Sequence, residues 1–120
     1  MENRDDDNLV QEVDELTEMF RFDEDWENLR EIVARQNLDS RDILLAGYYE
    51  GEEGEEYACF VTFSGKVIEY EGRVGVSPKP PPVIWRERTM DQSIVDAFAA
   101  VEVAMKMVTG EIQSRWTGSS

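Results

Sequence analysis

The chain has 120 residues, of which 41% are hydrophobic and 32% are charged, and its 27 acidic and 12 basic side chains give a formal net charge of −15. This composition is typical of one folded domain, because disordered chains contain fewer aromatic and branched side chains. No stretch approaches the ~20 apolar residues that span a bilayer, and no apolar run follows the acidic N-terminus. We therefore expect a cytoplasmic protein without membrane contact.

The acidic charge is concentrated in the first half of the chain. Residues 1–56 contain 20 Asp and Glu against 5 Arg, whereas residues 57–120 contain 7 acidic and 7 basic side chains. Such asymmetry between halves points to an interaction surface. The chain has no histidine. This absence excludes Ser-His-Asp and Cys-His catalysis and the usual zinc sites.

The N-terminal segment predicts a helix with one acidic side. Residues 1–7 are polar and aperiodic, so we expect a frayed acidic terminus there, a single domain over residues 8–116 and a flexible tail over residues 117–120. Apolar residues recur at the helical period from Asn8 to about Phe20. They are Leu9, Val13, Leu16 and Phe20, and the carboxylates on the opposite arc are Asp14, Glu15 and Glu18.

A second helix is predicted after a short link at Arg21 and Phe22. Asp23 or Asp25 can cap its start, and we expect it to run to about Gln36. Its apolar side consists of Trp26, Leu29, Ile32 and Val33. Because the link is short, the two helices should pack as a pair and gather the carboxylates of their junction around one corner.

The middle of the chain predicts an antiparallel meander of three or four strands. The expected strands are Ile43–Tyr49, Tyr57–Phe63, Lys66–Glu71 and an edge strand Val83–Arg88 with Trp85 turned inward. Both sides of the second strand are apolar, which favours a central position. This strand contains the only cysteine, Cys59, which we interpret as a buried, inert thiol.

The C-terminal region predicts one long helix packed on one face of the sheet. The prolines within Ser77–Pro82 are typical of an extended connector, which leads into the edge strand before this helix. Thr89–Trp116 then carries the longest helical pattern, with Thr89 or Asp91 as its cap and Gly110 as the point where it ends or bends. Its apolar stripe is Ile94, Phe98, Val101, Met105, Val108 and Ile112. The predicted fold class is therefore α+β.

The acidic stretches do not match a metal or catalytic motif. Asp5–Asp7 and Asp23–Asp25 lack the glycine that an EF-hand loop requires, and Glu50–Glu56 is typical of a solvated hairpin tip. Neither a phosphate-binding loop before a helix nor a cleft with paired carboxylates is evident. We assign no catalytic residue, no metal site and no cofactor.

Direct binding of nucleic acid is not expected either. The order helix-strand-strand-strand-helix resembles that of double-stranded RNA-binding domains, but the resemblance is limited to this order. Those domains hold phosphates with basic residues near the start of the final helix, where this chain has Met90–Ile94 without a positive charge. Phosphate affinity depends on cationic contacts, so an acidic chain should be repelled.

The charge distribution favours binding of a basic protein surface. Eleven acidic residues lie between Asp5 and Glu27, and a rigid face of this kind could occupy the basic groove of a nuclease, a toxin or a nucleic-acid-binding complex. We therefore expect a non-catalytic inhibitor, DNA mimic or immunity-type protein. The expected partner-binding residues are Asp14, Glu15, Glu18, Asp23, Glu24, Asp25 and Glu27, with a second patch of Glu52, Glu53, Glu55 and Glu56.

Two alternatives are left open by the sequence. In the first, the acids only solvate the surface of a small soluble α+β subunit or scaffold. In the second, the chain is a small enzyme without a recognisable motif.

Trp26 or Tyr49 could anchor a partner. A homodimer is also left open, because Trp116 and the outer strand face could belong to the core or to a dimer seam.

Overall fold

A four-stranded antiparallel sheet in the order β1-β2-β3-β4 lies at the centre of the fold. The computed structural model describes residues 4–73 and 84–116. The strands are β1 Ile43–Glu50, β2 Glu55–Thr62, β3 Val67–Arg73 and β4 Ile84–Arg88. The helices are α1 Arg4–Phe22, α2 Glu27–Arg35, α3 Gln92–Ala97 and α4 Val101–Thr109. The α+β class and the antiparallel meander are confirmed.

Strand β2 is buried on both sides, as its sequence predicts. Ala58 and Phe60 belong to one apolar cluster, and Cys59 and Val61 belong to another. Successive side chains of a strand point to opposite faces, so the two clusters lie on opposite faces of the sheet. The central position of β2 is confirmed, and the sheet has to be covered twice.

The helix α2 covers one of these faces. Its side chains Leu29, Ile32 and Val33 pack in the cluster that contains Phe60 and Tyr70. Asp23 precedes the helix and accepts a hydrogen bond from the Asp25 amide at 2.9 Å, which caps the short 3₁₀ turn Glu24–Trp26. Asp23 therefore caps the 3₁₀ turn, whereas the α-helix itself follows Trp26 without a side-chain cap, so the prediction that Asp23 caps this helix is confirmed only for the turn that precedes it.

The opposite face is covered by α3 and α4 instead of one long helix, so the prediction of a single C-terminal helix is wrong. The Asp91 carboxylate caps α3 by accepting from the Ile94 amide at 3.1 Å. The backbone then leaves helical geometry at Phe98, with φ −138° and ψ 89°. A Cβ atom at Gly47 would lie only 2.5 Å from Phe98 Cδ1, so the break seats the Phe98 ring where β1 has no side chain.

The break also changes which residues of α4 are buried. Val101, Val103, Ala104 and Met107 face the core, whereas Met105, Val108 and Ile112 of the predicted stripe are only half-buried. The helix ends at Gly110, whose φ of 87° is left-handed and favours glycine. The expected end at Gly110 is confirmed.

Helix α1 lies along the edge of the sheet at β1. Val13 packs in the cluster on the α4 side and Phe20 packs in the cluster on the α2 side. The register of β1 shifts between Leu45 and Gly47, and there the Leu45 amide donates to the Thr17 hydroxyl at 3.1 Å. Thr17 is fully buried. This helix therefore closes the edge with a side-chain acceptor.

The start of α1 differs from the expected boundary. The helix begins at Arg4, so Asp6 and Asp7 lie in its first turns. Negative charge at the N-terminal end of a helix interacts favourably with the helix dipole, which explains why α1 begins before the expected boundary at Asn8. Residues 1–3, the connector Ser77–Pro82 and the tail 117–120 lie outside the described residues, so their predictions stay predictions.

The edge strand β4 is confirmed from Ile84 onward, and the Trp85 ring lies 5.7 Å from the Phe60 ring, on the inner side as predicted. None of the helices in the described ranges is long and apolar enough to cross a membrane.

We expect Thr17→Val to lower the free energy of unfolding by about 1 to 3 kcal/mol, because it leaves the buried Leu45 amide without an acceptor while keeping the side-chain volume. Urea unfolding followed by circular dichroism measures the change. Thr17→Ser is the matched control, because it keeps the hydroxyl. Equal stability of Thr17→Val and the wild type would contradict the edge-closing role of this hydrogen bond.

Candidate protein interface

The solvent-facing side of α1 carries an open groove with a volume of about 470 Å³. Its described lining residues are Glu15, Glu18, Met19, Phe22 and Asp23, and we call this site the α1 groove. The apolar side of the same helix is occupied by the sheet edge. The groove therefore lies on a helix that packing holds in place.

The α1 groove contains two exposed apolar side chains. Phe22 is 72% exposed and Met19 is 37% exposed, and they lie within one turn of each other on α1. Large apolar side chains placed together at a surface are typical of interaction sites. The sequence pattern predicts neither residue as part of an interface, because it places Phe22 in the link between the helices and gives no role to Met19; the available signal is a phenylalanine outside the apolar arc of the helix.

The carboxylates of the predicted partner-binding set lie around this groove and on the turn that follows it. Glu15 accepts a hydrogen bond from Gln11 at 3.0 Å, and Asp23 caps the next turn. Glu24, Asp25 and Glu27 are exposed at the junction of α1 and α2. Within residues 4–73 and 84–116, none of these five has an ion pair.

The arginines nearest to these acids bind backbone carbonyls instead of carboxylates. Arg30 Nη1 donates to the carbonyl oxygens of Phe20 and Asp23, each at 2.8 Å. Arg21 Nη2 donates to the carbonyl oxygen of Arg41 at 2.9 Å. Both side chains thus fix the joints between elements, and neither of them forms an ion pair with Glu15 or Asp23.

In the second half of the chain, an acidic side chain is paired with arginines. Glu69 Oε1 lies 3.0 Å from Arg86 Nε and 2.7 Å from Arg88 Nη1. One carboxylate there receives two guanidinium groups. Ion pairing compensates the charge of Glu69 in this way, whereas at the end of α1 Glu18 is the one groove acid with an ion pair among the described residues.

The C-terminal segment lies against α1 and engages two acids of the predicted set. Arg115 Nη2 lies 2.7 Å from Glu18 Oε1, and Trp116 Nε1 donates to Asp14 Oδ1 at 2.9 Å. The Trp116 ring is 6.4 Å from the Phe22 ring and 4.7 Å from the Arg21 guanidinium. Trp116 therefore packs beside the groove, against residues of α1 in its own chain.

The aromatic anchors expected from the sequence are engaged within the fold. The Trp26 ring lies 4.7 Å from the Tyr48 ring and is half-buried. Tyr49 is 49% exposed but stacks on Tyr57, with 4.8 Å between the ring centroids. Phe22 is the more exposed aromatic residue and lies beside the acids.

The second predicted patch is smaller than expected. Glu52 and Glu53 are exposed at the turn between β1 and β2, and the half-buried Glu55 carboxylate accepts from the Glu53 amide at 2.9 Å. Glu56 is only 6% exposed, so its expected place in a solvated patch is wrong. It points to the α2 side of the sheet, as Ala58 and Phe60 do.

Glu56 is held there by two tyrosines. The Tyr48 hydroxyl donates to Glu56 Oε2 at 2.6 Å, and the Tyr70 hydroxyl donates to Glu56 Oε1 at 3.1 Å. Burial raises the pKa of both phenols, and the nearby Glu56 carboxylate raises each pKa further. Gly72 leaves the room for this arrangement, because a Cβ atom there would collide with the Tyr70 hydroxyl. The phenols thus satisfy a buried carboxylate.

The described residues contain two other features of the kind that forms sites, a second groove and a cysteine. A groove of about 550 Å³ lies beside Leu38, Ile68 and Trp85, and its charged lining residues are of both signs. Cys59 is fully buried, as expected, and burial raises the pKa of its thiol to about 12. Among residues 4–73 and 84–116, no three Asp, Glu or Cys side chains are arranged to hold a metal ion.

Comparison of the chain with protein-family models, with curated proteins and with solved structures gave no match.

We expect the stability of the protein to fall as the pH rises above about 10. The folded-state pKa values of Tyr48 and Tyr70 are raised above the unfolded value of about 10, so these phenols stabilise the fold fully below that pH. Their contribution is lost as the pH rises toward the folded-state values, because the unfolded chain releases the protons first. Thermal unfolding at increasing pH measures this slope.

Tyr70→Phe should make the alkaline slope shallower, and it should lower stability at neutral pH because Glu56 loses a donor. Tyr49→Phe is the matched control, since Tyr49 is exposed and its ring packs on Tyr57 and Phe98, on the opposite face of the sheet from Glu56. An alkaline slope that is the same in Tyr70→Phe and in the wild type would show that the buried phenol does not cause it.

Proposed function

We propose that the protein binds a basic surface of another protein and catalyses no reaction, acting as an inhibitor, a DNA mimic or an immunity-type protein. The observation that carries the proposal is the α1 groove. Exposed apolar side chains meet carboxylates there on a helix fixed to the sheet, and two of these carboxylates, Glu15 and Asp23, have no ion pair among the described residues. Interfaces that bind tightly combine an apolar centre with a charged rim in this way.

The groove favours this proposal over a purely solvating role for the acids. A solvating face needs charge but has no need of an exposed phenylalanine, because exposed apolar area weakens solubility. Here Phe22 and Met19 are adjacent, and Glu15, Glu18 and Asp23 surround them. Binding would remove this apolar area from water, which supplies affinity of a kind that the acids alone do not.

The charges would act mainly on the rate of association. The described carboxylates at the end of α1 and on the following turn produce a negative potential that attracts a basic partner over a distance of about a Debye length, ~8 Å at physiological ionic strength. Rim charges of this type raise the association rate constant and make it sensitive to salt. A nuclease, a toxin or a nucleic-acid-binding complex offers a surface of the required sign.

The test uses the partner that is captured from the native host at low salt and released at high salt. We expect Glu15→Lys, Glu18→Lys and Glu24→Lys together to lower the association rate constant about tenfold or more and to flatten its salt dependence, because attraction becomes repulsion. Surface plasmon resonance at several salt concentrations measures both quantities.

The matched control changes the net charge equally at another place. Glu87→Lys, Glu102→Lys and Glu111→Lys together alter three exposed acids in the balanced half of the chain. This control should slow association much less. If both triple variants slow association equally, or neither does, the acidic side of α1 is not the binding surface.

A further inference from the structure

We propose that the α1 groove takes a partner segment in which an apolar side chain is flanked by Lys or Arg, with the apolar side chain on Met19 and Phe22 and the cations on Glu15, Glu18 and Asp23. This inference rests on the proposed function and specifies the chemistry of the partner. Under the proposed function alone, any basic surface would be attracted; under this inference, the partner segment also needs an apolar side chain.

The apolar part of the inference follows from the exposure and shape of the groove. Phe22 is 72% exposed, although other large side chains of α1, such as Val13 and Phe20, are fully buried. The groove is open to solvent along this side of α1, so an aliphatic or aromatic side chain of a partner can reach Met19 and Phe22 directly.

The cationic part follows from the signs of the surrounding groups. Among the described residues, the three charged side chains that line the groove are all acidic, and of these only Glu18 has an ion pair. An acidic or uncharged segment would bury these carboxylates without compensation, which is costly. A segment with a cation on each side of the apolar group compensates them.

The chain itself shows this combination beside the groove. Arg115 pairs with Glu18, and the neighbouring Trp116 ring lies 6.4 Å from Phe22. A cation and an adjacent aromatic ring thus contact the two kinds of groups that line the groove. Since Arg115 occupies Glu18, a partner cation has to displace it or bind Glu15 and Asp23 alone.

The experiment uses the full chain and three capped synthetic peptides of equal length, about ten residues. The first contains arginines on both sides of a central pair of leucines. The second replaces the leucines with alanine, and the third replaces the arginines with glutamine. Isothermal titration calorimetry measures the affinities. We expect the first peptide to bind about tenfold more tightly than either of the others.

Two substitutions place the binding in the groove. Phe22→Ala should weaken the first peptide about tenfold and leave the second unchanged, because only the apolar contact is lost. Met19→Gln should act in the same direction. Ile84→Ala is the matched control, since Ile84 is 41% exposed on β4 and lies outside the groove. This control should leave all three affinities unchanged.

A second pair of variants tests the role of Arg115. Arg115→Gln should tighten binding of the first peptide several-fold, because it frees Glu18 for a cation of the peptide. Arg86→Gln is the matched control: it also removes one positive charge from an ion pair with a glutamate, here Glu69. Equal tightening in both variants would show a general charge effect and would overturn the assignment of Glu18.

The outcomes distinguish the two proposals. If the first and second peptides bind equally and Phe22→Ala changes nothing, the apolar groove is not a site, while a loss of partner association in the charge-reversed triple variant would still support the proposed function. If no peptide binds, the inference about the segment is overturned. If the charge-reversed triple variant associates with the captured partner as fast as the wild type does, the proposed function itself is overturned.

Discussion

The hydrogen bond between the Leu45 amide and the Thr17 hydroxyl fixes α1 along the edge of strand β1, and the rest of the arrangement depends on it. An apolar sheet with both faces covered by helices still has an unpaired backbone edge. Helix α1 closes this edge and contributes Val13 to one cluster and Phe20 to the other. Its buried side is thereby fully used, and its remaining side, with Glu15, Glu18 and Phe22, has to face solvent.

Much of the fold was predictable because local patterns determine it. The alternation along β2 predicted a central strand with two buried sides, and the short links predicted a helix pair and a meander. The C-terminal helix was not predictable from its periodicity. The pattern continues through Phe98, but the backbone breaks there because Gly47, on a distant strand, leaves space for the ring. A contact between residues so far apart in sequence leaves no signal in a local window.

The candidate interface also has a part that the sequence predicts and a part that it does not. The acids of α1 and of the following turn were readable from composition, since charged side chains on the outer arc of a helix stay at the surface. The contacts of Arg115 with Glu18 and of Trp116 with Asp14 join residues about a hundred positions apart, and sequence alone did not indicate them. Glu56 was misplaced for a simpler reason. Strand β2 begins at Glu55, so the alternation that buries Ala58 and Phe60 also buries Glu56.

The single cysteine has a practical consequence for studying this fold. Cys59 is completely buried in an interior strand, and the raised pKa of its thiol keeps it protonated at neutral pH. Alkylating reagents attack the exposed thiolate, so modification of Cys59 has to wait until β2 separates from its neighbours. The speed of alkylation thus reports how often the sheet opens, and the chain carries this intrinsic probe without any added label.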